Sequence, residues 1–325
     1  MKTLQEILVD SVVSPIEVRA LDPDLSKGLF ILLDGRLAFS IGTKVRKFFG
    51  FHSALNVQKV RSVLLQGELH SNALGAFSYL FRVFGYEVHT IAYARNRSLT
   101  TANSVLVKWN SHKLEIFPSR REWKERIKAL SADSIDTENF FSEEDSRNKA
   151  PIRNDSPWKD FRLIPEYGLS RAAAIGLDSL WERIQISKYE RIVLDLGSGL
   201  TWLSASRYFG NSIPIYGISV GLSRSKMMEW LEEKKKFLGF HGFQIEGDKI
   251  LSPEFSSGFG SRHNRILEYS NSFYRKTGIP IEPIYSGISL LTVEKRIDSG
   301  FWKGNTLYIH QGGLLNFLDP FIETF

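Results

Sequence analysis

The chain of 325 residues contains no cysteine, which excludes disulfides, thiolate nucleophiles and cysteine-bound zinc. Its seven histidines fall nowhere into H-x-x-x-H or H-E-x-x-H spacing, so a dedicated metal site is not expected. No stretch of about 18 apolar residues occurs, and residues 1–10 lack the basic start and apolar run of a secretory leader. A cytoplasmic protein without membrane contact is therefore expected. Zinc-finger spacing, aromatic RNA-binding signatures, basic repeats and low-complexity tracts are absent too, so nucleic acid is not an expected partner. The excess of 42 basic over 36 acidic residues gives a net charge of +6, and Glu232-Glu233-Lys234-Lys235-Lys236 mixes both signs on one helical stretch. A modest positive field of this kind suits an anionic substrate or a phosphorylated cofactor.

What is present is an ordinary globular balance, 42% hydrophobic and 24% charged, in a chain long enough for one large or two smaller domains. Strand and helix patterns alternate. Val60–Leu65 reads as a strand, Ser71–Phe84 as a helix closed by Gly85, and Val88–Tyr93 as a strand. Thr100–Lys108 reads as a helix, Leu114–Phe117 as a strand and Arg120–Leu130 as an amphipathic helix. This βαβαβ order predicts a parallel sheet with helices on both faces. Residues 131–160, rich in acids, serine and asparagine, read as a long loop. The alternation then restarts with a helix over Arg171–Gln185, a strand at Arg191–Leu196, a helix at Thr201–Phe209, a strand at Ile215–Val220 and a helix at Ser223–Phe237. Thr306–His310 is a further buried strand.

Several short segments carry possible chemistry. Lys44 follows the glycine Gly42 and an apolar run, and precedes Val45-Arg46-Lys47 at a helix start. An ammonium beside other cations and an apolar wall has a depressed pKa, as a Schiff-base lysine requires; a solvated basic turn is the other reading. Asp195–Thr201, D-L-G-S-G-L-T, sits between a strand and a helix. Glycines there let the backbone approach a phosphate, with Ser198 and Thr201 adding hydroxyls. A bare tight turn is the alternative, and V-L-D-L-G-S-G also looks like the first motif of S-adenosylmethionine-dependent methyltransferases. Against the latter, the strand ending at Val220 lacks the acid that clamps ribose. In His70-Ser71-Asn72-Ala73, Ser71 is an N-cap, and the helix start also suits a substrate carboxylate. Ile284-Tyr285-Ser286-Gly287 and Ile309-His310-Gln311-Gly312-Gly313-Leu314 complete the set.

Taken in order, these pieces resemble the family of 1-aminocyclopropane-1-carboxylate deaminase and D-cysteine desulfhydrase. That family lies within the tryptophan-synthase-β-like, fold type II, pyridoxal-phosphate enzymes. Its pattern is G-N-K-x-R-K, Q-S-N, G-S-G-x-T, Y-x-G-K and H-T-G-G. Here it meets Gly42-Thr43-Lys44-Val45-Arg46-Lys47, His70-Ser71-Asn72, Gly197-Ser198-Gly199-Leu200-Thr201, Tyr285-Ser286-Gly287 and His310-Gln311-Gly312-Gly313. Pro165-Glu166-Tyr167-Gly168-Leu169-Ser170 resembles the family's P-E-G-G-S turn.

The resemblance implies an α/β, two-domain fold with mainly parallel sheets flanked by helices. The large cofactor-binding domain would be 1–51 plus 161–325, and the small domain 52–160. It implies pyridoxal 5'-phosphate carried on Lys44, its phosphate held by Gly197, Ser198, Gly199 and Thr201, with Ser286 at the pyridine nitrogen and Gln311 in the closing motif. Ser71 and Asn72 would bind the carboxylate of a small amino acid or assist proton transfer, Tyr285 would lie near the reacting carbon, and Lys44 would take the α-proton. The implied activity is that of a lyase or deaminase giving a 2-oxo acid and ammonia, with sulfide from cysteine, in a homodimer. The chain departs from the pattern at Thr43 (Asn in the family), Ala73 (His or Gln), Phe259 (Tyr) and Gln311 (Thr). A homologue that binds the cofactor without turnover is therefore the competing reading, and a methyltransferase the third.

Overall fold

The computed structural model describes residues 2–21, 28–37, 39–132, 160–255 and 263–319. In chain order the elements are α1 (Leu4–Val13), β1 (Val18–Ala20), β2 (Leu29–Leu32), α2 (Lys44–Val57), β3 (Ser62–Glu68) and α3 (Asn72–Val83). Next come β4 (Glu87–Tyr93), α4 (Ala102–Asn110), β5 (Lys113–Phe117), α5 (Arg120–Ala132), β6 (Phe161–Leu163), α6 (Arg171–Gly176) and α7 (Asp178–Trp181). The rest are β7 (Arg191–Leu196), α8 (Leu200–Phe209), β8 (Ile215–Ser219), α9 (Arg224–Phe237), β9 (Ile250–Leu251), α10 (Asn264–Thr277), α11 (Ser286–Asp298) and β10 (Thr306–Ile309). They form two compact units, one of the described residues within 1–10, 44–176 and 315–325, the other of those within 11–43 and 177–314.

The first unit is built on a four-stranded sheet of order β5-β4-β3-β6, parallel throughout. Val63, Leu64 and Leu65 of β3 are all buried, as a strand covered on both faces requires. Ser71 caps α3, its Oγ accepting the Leu74 N–H at 3.2 Å, and Thr101 with Ser104 forms a reciprocal capping box at the start of α4. An aromatic core joins α2 to α3: Phe48 meets Phe81 at 5.0 Å between centroids, Phe51 meets Phe77 at 5.8 Å, and Tyr86 meets Phe81 at 5.2 Å.

Helices α2 and α6 approach until their backbones touch. A Cβ on Gly50 would lie 2.0 Å from the Ala172 carbonyl oxygen, and one on Gly176 2.2 Å from that of Arg46. This packing places both α2 and the 161–176 segment in the unit of the four-stranded sheet. The sequence division falls at 51/52 and 160/161; by contacts the described residues within 44–176 lie in one unit, with β6 paired to β3 and α6 packed on α2. Gly176 interrupts the helix expected over Arg171–Gln185, which is α6 and α7 instead, joined at Leu177. Residues 133–159, most of the expected 131–160 loop, and Phe259 lie outside the described residues.

The second unit holds a six-stranded sheet of order β1-β2-β10-β7-β8-β9, parallel except for the β1–β2 pair. Its central strands are apolar on both faces, and Ile31, Val193, Ile218, Leu290 and Tyr308 form part of one buried cluster. Among the described residues no helix is long and apolar enough to cross a membrane, and no group of acids and histidines is placed to hold a metal ion.

Candidate active site

Lys44 is the first residue of α2 and is partly buried. The two residues before it are clasped onto the segment after β10. Gly42 has φ +75°, and a Cβ there would meet the Gln311 carbonyl oxygen at 2.1 Å. The Thr43 N–H donates to that carbonyl at 3.0 Å and its hydroxyl donates to the same atom at 3.3 Å. The hydroxyl that replaces the family's amide is thus committed to the backbone. One helical turn on, Lys47 is buried, and burial followed by the charge of Lys44 lowers its pKa to about 7. No described residue forms a hydrogen bond or ion pair with its ammonium.

The glycine turn follows β7 in the second unit. Gly199 has φ +82° and is the N-cap of α8, which has no side-chain cap. The first backbone N–H groups of that helix therefore have no intrahelical or capping acceptor, and with the helix dipole they form a donor set for an anion. Thr201 is buried on the first turn. Two side chains fix the loop: Trp230 Nε1 donates to the Ser198 carbonyl at 2.9 Å, and Leu231 lies where a Cβ on Gly199 would come within 2.5 Å of its methyl. The Tyr285 ring lies against Gly197, 3.1 Å from a Cβ built there. Gln311 Nε2 donates to the Asp195 carbonyl at 3.0 Å, and Tyr308 donates to the Asp195 carboxylate at 2.6 Å. The loop, Tyr285 and Gln311 are in this way gathered at the carboxyl ends of β7 and β10.

Ser286 is engaged within its own turn. Its hydroxyl accepts the Glu282 N–H at 2.9 Å, while Glu282 takes the N–H groups of Ile284, Tyr285 and Ser286, each at 2.7 Å. Burial, with Asp195 as a lesser cause, raises the Glu282 carboxyl to about 7. Glu282, Trp230 and Tyr308 escaped the sequence reading. An acid just ahead of a helix start was a usable signal for the first.

In the first unit Ser71 and Asn72 begin α3. The Asn72 side-chain Oδ1 accepts from Asn103 Nδ2 at 2.8 Å, and the buried Asn103 Nδ2 also reaches the His70 backbone carbonyl at 3.2 Å and Asn316 Oδ1 at 3.1 Å. Gly75 makes room for it, since a Cβ there would lie 2.7 Å from Asn103 Oδ1. Glu68 accepts the His70 N–H at 3.0 Å, and burial raises its pKa to about 7. Ser71 and Ala73 line a narrow crevice together with Gln66, Gly67 and Tyr167. Asn103 carried no sequence signal, because its partners are distant along the chain, and Tyr167 was visible only as part of the turn at 165–170.

Two mainly parallel sheets flanked by helices are the tryptophan-synthase-β-like, fold type II architecture, as the sequence led one to expect. By sequence, no family model and no curated relative matches the chain. Among solved structures it is similar to an ACC deaminase homologue, with a TM-score of 0.71 and 18% identity over 97% of this chain and 96% of that one. It is similar also to O-ureido-L-serine synthase, at 0.62 and 11% over 96% and 92%. A third is a hydrogen sulfide-producing enzyme from Fusobacterium nucleatum, at 0.59 and 10% over 94% and 95%. At these identities the likeness establishes the fold, which is not that of a methyltransferase.

Proposed function

We propose that the chain is a pyridoxal-phosphate-dependent lyase or deaminase of small amino acids, of the D-cysteine, D-serine or 1-aminocyclopropane-1-carboxylate type, working as a homodimer. The observation that carries this reading is the uncapped start of α8 behind the left-handed Gly199, with Tyr285 against Gly197 and Gln311 braced on Asp195. A dianionic phosphate fits such a donor set, because any side chain at Gly197 or Gly199 would press on Tyr285 or Leu231. Gly197, Ser198, Gly199 and Thr201 would hold the phosphate and Lys44 the aldehyde carbon. When bound, the cofactor supplies an electron sink for charge developing at the substrate α-carbon.

This chain's residues supply the rest. The Ser71 hydroxyl and the Asn72 amide, the latter oriented by Asn103, bind the substrate carboxylate at the start of α3. The Lys44 amine takes the α-proton. Tyr285, whose ring lies against Gly197 in the glycine turn, would stand near the reacting carbon. The products are a 2-oxo acid and ammonia, with sulfide when the leaving group is a thiol.

A second reading, cofactor binding without turnover, draws support from Ser286. Its hydroxyl is occupied by Glu282 and so is not offered to a pyridine nitrogen. Purified protein reconstituted with pyridoxal phosphate should gain a visible absorbance band that borohydride reduces and Lys44→Ala abolishes; no band would remove both readings. Pyruvate and ammonia release over D-cysteine, D-serine, L-serine and 1-aminocyclopropane-1-carboxylate then separates them. A band with no turnover on any of the four favours the binding protein.

A further inference from the structure

Tyr167 is held in the left-handed region at φ +63°, and Gly168 after it has φ +66°. For a residue with a Cβ that conformation costs about 1–2 kcal/mol, whereas glycine would adopt it freely. A bulky side chain kept against a local penalty points to use rather than packing convenience. Tyr167 stands where the family pattern has a glycine, and Ala73, which borders the same crevice, stands where that pattern has a larger polar residue. The crevice thus has one wall taken back and another brought forward.

The position of the crevice adds a second reason. The sheet runs β3, β4, β5 in one direction, and the chain then returns to lay β6 on the opposite side of β3. Gln66 and Gly67 at the end of β3, with Ile164 and Pro165 after β6, line the crevice, so it opens at the carboxyl ends of the two strands where the order reverses. Open α/β sheets take their ligands there. The enclosed space is narrow, about 10 Å³ or room for about one water, so the walls leave little space for a side chain beyond the start of α3. None of its lining side chains is charged. Glu166, the nearest carboxylate in sequence, is bound by Arg120 at 2.8 Å and accepts from the Tyr93 hydroxyl at 3.5 Å. The backbone that carries Tyr167 is held by the close approach of Gly168 to Phe77, which keeps the bulk of the side chain as a wall.

We propose that Tyr167 is the specificity-determining residue of the amino-acid site, closing the crevice beside Ala73 and Ser71 so that only substrates with small, uncharged side chains are accepted. This rests on the assignment of Ser71 and Asn72 to substrate binding. A charged side chain would be desolvated there without a partner, and a large one would collide with the wall.

The test uses the reconstituted protein and two variants that relieve the backbone, Tyr167→Gly and Tyr167→Asn, with Tyr167→Phe as the control that keeps the bulk. Binding of alanine, serine, leucine, phenylalanine and aspartate, in both hands, is measured by calorimetry and by perturbation of the cofactor absorbance, alongside thermal melting. The expected result is a melting temperature no lower than wild type for the glycine or asparagine variant, and a preference shifted at least about tenfold from alanine or serine toward leucine or phenylalanine. The phenylalanine variant keeps the wild-type order. Unchanged preference in both relieved variants overturns the proposal, as does wild-type preference for the bulky or acidic side chains. If the cofactor does not load, the functional reading fails by itself, and calorimetry on the protein alone decides the matter: amino-acid binding with the same shift sustains the wall, and no binding by the wild type overturns it.

Discussion

Replacing Lys47 by methionine keeps the length of the side chain and removes its buried amine. Its pKa is lowered from an ordinary 10.5 to about 7, chiefly by burial and then by Lys44. Between those values the unfolded chain holds a proton that the folded one has lost, so wild-type stability rises with pH from about 7 toward 10.5. At 1.36 kcal/mol for each unit, the cost of keeping this lysine in the fold is at most about 5 kcal/mol near neutrality. Lys47→Met should therefore be more stable than wild type at pH 7, by up to several kcal/mol. The gap should shrink by about 2 kcal/mol at pH 9, as the wild type loses its penalty and the variant has none to lose. Urea unfolding followed by tryptophan fluorescence at the two pH values, without cofactor, measures both quantities. Parallel pH dependences for the two proteins would refute the reasoning, because they would mean that Lys47 is hydrated or paired in solution.

Three further outcomes are expected. Gly50→Ala sets a methyl 2.0 Å from the Ala172 carbonyl, and the overpacking of about 1–3 kcal/mol should exceed the roughly 1 kcal/mol gained in helix propensity, so the urea midpoint falls; an equal or higher midpoint contradicts the α2–α6 contact. Asn103→Ala frees the Asn72 amide and leaves buried acceptors unmet, costing about 1–3 kcal/mol of stability. Amino-acid KM should rise about tenfold or more with the cofactor band intact, and an unchanged KM would remove Asn103 from the site. Trp230→Phe deletes the bond to the Ser198 carbonyl, worth about 0.5–1.5 kcal/mol, and should weaken pyridoxal-phosphate affinity about threefold to tenfold in a fluorescence titration. Equal affinity would show that the loop holds its shape without it.

Elements whose own residues decide them were legible. The strand read at Arg191–Leu196 is β7 itself, and Ser71 and Ser223 cap the helices they were expected to start. The continuous apolar run of β3 announced a buried parallel strand. Features that depend on distant partners were not legible. The break at Leu177 comes from Gly176 meeting Arg46, 130 positions earlier, and the orientation of Asn72 from Asn103, 31 positions later. The burial of Lys47, one turn beyond Lys44 along α2, was not legible either, because helix phase relative to the core is not fixed by the local sequence. For Ser286 the hydroxyl was visible in the sequence, whereas the buried Glu282 that occupies it became visible only with the turn folded.

The clasp of Thr43 on the Gln311 carbonyl joins groups 268 residues apart, and β2 finds its parallel neighbour only in β10. During synthesis the residues around Lys44 emerge early but have nothing to close against until the last strand has left the ribosome. Pairings of such span form late and slowly. The residues that lead into α2 are thereby kept from their final setting until β10 has been made, so a protein truncated before β10 should leave the Thr43 clasp open.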